Sequence, residues 1–169
     1  MSISLVAATV AISLALVLYT WGVFDERRRG TLTKKNVALF WAGFLFDTTG
    51  TTIMTSMALA GGTSALGMHA LSGVFAIALM AIHATWATIT YVRQNEKAMI
   101  RFHTFSIVVW LFWLMPYTLG ILQGVPMLHM ANLQAGIVAL VVVVGLGLAV
   151  FLAATIIKLR ALQRHKVFV

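Results

Sequence analysis

Five stretches of this chain are each long and apolar enough to cross a lipid bilayer, which takes about 20 mostly apolar residues in a helix. They run from Ile3 to Phe24, Val37 to Ala60, Gly67 to Val92, Arg101 to Gln123 and Met130 to Leu159. The outer joins, Gly61–Leu66 and Gly124–His129, are too short to hold a site of their own. The chain therefore reads as one all-α domain over residues 1–169, an integral membrane bundle of five transmembrane helices embedded in lipid. With 61% hydrophobic and 9% charged residues it cannot clothe a soluble surface, and it is far too apolar for a disordered chain. It has no cysteine, which excludes a disulfide scaffold and a thiolate metal site.

The net charge of +8 invites a nucleic-acid reading, but the positions of the bases argue against one. The twelve Lys and Arg residues fall in three clusters: Arg27, Arg28, Arg29, Lys34 and Lys35; Arg93, Lys97 and Arg101; and Lys158, Arg160, Arg164 and Lys166. Five spans put all three clusters on one side of the membrane, and four would not. By the positive-inside rule that side is cytoplasmic, with the N-terminus outside and the C-terminus inside. The expected location is the bacterial cytoplasmic (inner) membrane, with no nucleic-acid partner. The first span has no basic residue before it and a basic cluster after it, so it reads as an uncleaved anchor.

Ionisable side chains within spans are costly and usually functional. Asp47 is the one carboxylate inside an expected span; Asp25, Glu26 and Glu96 fall in the basic segments. Four histidines, His69, His83, His103 and His129, lie in or at the ends of spans, whereas His165 belongs to the tail. His69 and His83 are fourteen residues apart, which places them on one helix face about 21 Å apart. Gly73, Ala76, Met80 and Ala87 share that face and leave room for a flat group. Partners stand at matching depths: His103 for His83 in the inner leaflet, and His129 for His69 in the outer one. Two bis-histidine pairs would hold one or two b-type haems as electron carriers with no open coordination position.

Asp47 opens a polar run, Asp47-Thr48-Thr49-Gly50-Thr51-Thr52, in mid-span and near the expected depth of His83. It would orient a ligating imidazole, relay protons, or join His83 and His103 in a two-histidine, one-carboxylate metal site; the plain alternative is a neutral Asp bonded to neighbouring threonines. Trp110 and Tyr117, on the Ser106 face of the fourth helix, would pack a macrocycle or simply form an aromatic stripe. Pro116 should kink that helix.

The segments Phe46-Asp47-Thr48-Thr49-Gly50-Thr51, His69 through Ala87, and Phe102-His103-Thr104-Phe105-Ser106 with Trp113-Leu114-Met115-Pro116-Tyr117 resemble those of the HsmA family of small bacterial membrane proteins, across residues 12–122. The resemblance implies a helical membrane protein and directs attention to Asp47, His69, His83 and His103. His129 lies outside its strong part, which leaves Met54 or Met57 as other partners for His69.

Three functions follow from these residues. The leading expectation is a b-type cytochrome passing electrons across the membrane, to quinone or to a redox partner protein. The second is a structural subunit of a larger membrane complex or homo-oligomer, with histidines and Asp47 as interhelical glue; Gly145 and Gly147 suit close packing there. The third is a metal- or proton-handling, transporter-like protein centred on Asp47, His83 and His103. No nucleophile–base pair or phosphate loop marks the chain as an enzyme in its own right.

Overall fold

A computed structural model of the chain describes residues 2–61, 68–124, 128 and 130–167, and side chains within these except at 68–70, 158 and 160–167. The described residues form five helices: α1 (Ile3–Arg29), α2 (Lys34–Ala60), α3 (Met68–Arg93), α4 (Glu96–Gly124) and α5 (Asn132–Val167). There is no strand among them, and all five helices are long and apolar enough to cross a membrane.

α1 starts at a Ser2 cap, whose hydroxyl accepts from the Leu5 amide at 3.3 Å. It ends at Arg29, beyond the expected Phe24, because the stop signal is Gly30 in the left-handed conformation (φ 68°) that glycine adopts without strain. Four residues later α2 opens on a capping box, Thr33 with Asn36. α4 begins at Glu96 and runs through Pro116 as a single helix.

The α1–α2 hairpin is packed through small residues in a heptad-like spacing. Ala8, Ala11, Ala15, Tyr19, Gly22 and Glu26 are buried on α1, against Asn36, Phe40, Gly43, Asp47 and Gly50 on α2. Each glycine receives a large side chain from the other helix: Phe40 lies over Gly22, Tyr19 over Gly43 and Ile12 over Gly50. Glycine at these three positions lets two helices approach closely where lipid supplies no hydrophobic drive. α2 packs on α3, α3 on α4, and α4 returns to α1, so the first four helices close into a ring. α5 lies outside it on α4, held by the buried Ala135 and Ala139.

The ring's interior holds Tyr19, Phe40, Met80, Phe102, Trp110 and Trp113, while Val74, Phe75, Leu148 and Phe151 are exposed on its outside, as lipid-facing residues would be. The α1–α2 turn is fastened to the start of α4 by the Leu32 amide, which donates to Met99 Sδ at 3.2 Å. The basic ends of α1, α2, α3 and α4 therefore gather at one end of the bundle.

Candidate functional site

Three buried polar side chains meet at that basic end, and the sequence pointed to only part of the group. Glu26 stands on the α1 seam seven residues after Tyr19, fully buried. The sequence placed it only in a basic segment after the first span; the extra turns of α1 carry it onto the helix seam. The seam residues before it, at three- and four-residue steps, were the signal that would have found it. Its Oε2 lies 2.5 Å from His103 Nδ1, and His103 Nε2 lies 3.2 Å from the Gly30 carbonyl. A carbonyl only accepts, so Nε2 carries a hydrogen. One further proton then lies between Nδ1 and Oε2, on the ring as an imidazolium–carboxylate pair or on the acid beside a neutral ring. Removing it would set a carboxylate against an imidazole lone pair, so the pair holds one proton in either form.

His83 is 1% exposed and enclosed by rings: Phe40 edge-on at 4.4 Å, Phe102 stacked at 5.1 Å and Phe105 tilted at 6.0 Å. Its Nε2 lies 3.0 Å from Ser106 Oγ, and its Nδ1 has no partner among the described residues. A buried N–H without an acceptor is rarer than a bare lone pair, which favours the tautomer whose Nε2–H donates to Ser106. The Ser106 hydroxyl also stands beside the Glu26 carboxylate, whose Oε1 lacks a partner of its own. His83, Ser106, Glu26 and His103 thus follow one another toward the bundle's end, where His103 is 20% exposed. The line draws on three helices, α1, α3 and α4, with α2 supplying the Phe40 wall.

Asp47 lies elsewhere. It is 4% exposed, and Trp113 Nε1 donates to its Oδ2 at 2.8 Å. Trp113 is seven residues beyond Ser106 on α4, so Asp47 sits roughly 10 Å further from the basic end than the His83–Ser106 contact. The expected equal depth of Asp47 and His83 is thus corrected. Among the described residues no three His, Asp or Glu gather as metal ligands, so Asp47, His83 and His103 do not form one centre. The threonines do not bond Asp47 either: Thr48, Thr49 and Thr52 donate to backbone carbonyls four residues earlier.

The aromatic residues serve packing. Trp110 Nε1 donates to Thr20 at 3.0 Å and its ring meets Phe24 edge-on; Tyr117 stacks on Trp113 at 5.4 Å. The inner histidine pair does not fit a haem in this arrangement. Both His103 nitrogens are engaged with protein oxygens, and Phe40 and Phe102 fill the space beside His83. A groove of about 390 Å³ lined by Ala81, Ile82, Thr85, Trp86 and Ile89 opens on the outside of α3, where Ile82 and Ile89 are exposed. The outer pair falls outside what is described: His69 begins α3 with its side chain beyond the description, and His129 is not among the described residues. The chain matches no family model, no curated protein and no solved structure.

Proposed function

We propose that this protein handles protons in a membrane, through a buried relay of His83, Ser106, Glu26 and His103 that opens at the basic end of the bundle. The observation that carries the reading is the 2.5 Å contact between a fully buried carboxylate and an imidazole, with the Ser106 hydroxyl standing near that carboxylate and 3.0 Å from the imidazole of the buried His83. A proton arriving at His83 Nδ1 makes the ring an imidazolium. Its Nε2 proton passes to Ser106 as the serine's own proton moves to Glu26. Glu26 returns a proton to His103 Nδ1, and His103 releases its Nε2 proton past the Gly30 carbonyl. One proton enters and one leaves, and no bond between heavy atoms changes. On the positive-inside rule the basic end is the cytoplasmic one, in a bacterial inner membrane.

The test is proton uptake into proteoliposomes holding a pH-sensitive dye, driven by a potassium diffusion potential. The wild type should acidify the lumen, and Glu26→Gln should be slower by about tenfold or more, as expected for losing a positioned acid–base group. Uptake no faster than in protein-free vesicles would defeat the reading and leave these side chains as interhelical glue in a structural subunit.

A second reading keeps the cytochrome. It requires Phe40 and Phe102 to move from beside His83, and one observation supports it: α3 is uninterrupted from Met68 to Arg93, so positions 69 and 83 keep one helical register. A reduced-minus-oxidised visible spectrum of the purified protein decides it. Sharp b-type haem bands would establish haem b, with quinone as a fitting acceptor. A colourless protein after expression with ample haem would eliminate it.

A further inference from the structure

We infer that Asp47, with Trp113 and Tyr19, forms a second proton-binding station, which hands protons to the relay at the basic end. The inference rests on the relay reading and extends it toward the opposite end of the bundle.

The two groups occupy equivalent places on the same seams. Tyr19 precedes Glu26 by seven residues on α1, Asp47 follows Phe40 by seven on α2, and Trp113 follows Ser106 by seven on α4. Seven residues are two turns, so the stations stack along the bundle roughly 10 Å apart. Each holds one buried carboxylate with one nitrogen donor: His103 for Glu26 and Trp113 for Asp47. Indole N–H can only donate, so unlike His103 it cannot take the proton away. Asp47 must therefore exchange its proton along another route.

Tyr19 supplies one. Its ring packs over Gly43 and meets Trp113 edge-on at 5.3 Å, and Trp113 in turn donates to the Asp47 carboxylate, so Tyr19 borders the same station. The Tyr19 hydroxyl is buried and has no partner among the described residues, as is true of His83 Nδ1 at the other station. Tyr19 Oη and His83 Nδ1 are unpartnered buried polar atoms at the two stations, and such groups are the ones internal water serves in proteins. A phenol both donates and accepts, so one or two water molecules beside Tyr19 would complete a line from Asp47 to His83. Tyr19 and Tyr117 are the titratable side chains that meet Trp113, the donor to Asp47, with Tyr117 a turn beyond it on α4. Toward the far end of α2, Thr51 and Met54 follow Asp47 on its face, and Thr51 gives a proton entering from that end a hydroxyl one turn from the acid. In the transfer, Asp47 takes up one proton as a neutral acid and releases one through water to His83 Nδ1, returning to the carboxylate.

The test pairs flux with infrared spectroscopy, using the full chain with Asp47→Asn and Tyr19→Phe, and with thermal unfolding to verify folding. In proteoliposomes both variants should lose proton uptake, Asp47→Asn by about tenfold or more. In a pH titration, the carbonyl stretch of a protonated buried carboxyl should vanish in Asp47→Asn while the part belonging to Glu26 persists. If Glu26→Gln abolishes uptake and both Asp47→Asn and Tyr19→Phe leave it intact, the relay stands and this station is refuted. If Glu26→Gln has no effect, the relay itself fails. If Asp47→Asn does not fold, Tyr19→Phe gives the flux result, and wild-type spectra without a second titrating carboxyl overturn the station.

Discussion

Glu26 is tolerable at full burial only because His103 lies against it. Breaking a buried charge pair by deleting one partner strands the other, whereas removing both does not. His103→Ala alone should therefore lower stability by about 3 kcal/mol, and adding Glu26→Leu should recover much of that loss. Thermal unfolding in detergent reads both. Losses that simply add would mean the two side chains do not act as a pair. Of this group, the histidines were visible in the sequence because ionisable residues stand out in apolar spans, whereas Ser106 served only to mark a face of the fourth helix. Glu26 was not visible, because Arg27, Arg28 and Arg29 beside it give the segment the composition of a solvated loop. Burial there was decided by the register of α1 and by Gly30 as its stop, neither of which composition reports. The aromatic enclosure of His83 was equally hidden, since Phe40 comes from another helix and no spacing links it to His83.

The α1–α2 pair depends on glycine more sharply than the other pairs. At Gly43 an added Cβ would lie 2.6 Å from Tyr19 Cε1, and at Gly50 it would meet the Ala8 carbonyl oxygen at 3.0 Å, which is backbone and cannot turn aside. A helical Gly→Ala change gains up to about 1 kcal/mol in propensity, whereas overpacking a close contact costs about 1–3 kcal/mol. The contact should win at Gly50, so Gly50→Ala should lower the melting temperature. At Gly73 nothing among the described residues lies within 4 Å, and Gly73→Ala should be neutral or stabilising. Equal effects at the two positions would contradict the close packing described for this hairpin. Tyr19 and Glu26 share the seam that these glycines hold together, so loosening Gly50 should also slow proton uptake.

Across the whole molecule, the number and order of the helices were legible from apolar length alone, because a bilayer demands it. How the helices pair was not, since similar apolar faces suit lipid and protein equally. α5 shows this: it is the most continuously apolar segment, yet it packs mainly on α4 and leaves Leu148, Phe151 and Leu152 exposed. The proposed orientation has a simple check in a chain without cysteine. Arg28→Cys should resist a membrane-impermeant maleimide in intact cells, and Leu128→Cys should react; the reverse pattern would invert the bundle.

In the proposed relay Ser106 stands between His83 and the Glu26 acid that meets His103, and it is not itself an acid or base at neutral pH. Proton uptake by Ser106→Ala and Ser106→Thr proteoliposomes therefore tests the relay at its joint. A relay requires uptake to collapse in Ser106→Ala and to survive in Ser106→Thr, which keeps the hydroxyl, with both variants folded. Uptake by Ser106→Ala equal to that of the wild type would show that protons do not pass from His83 to Glu26 by this route.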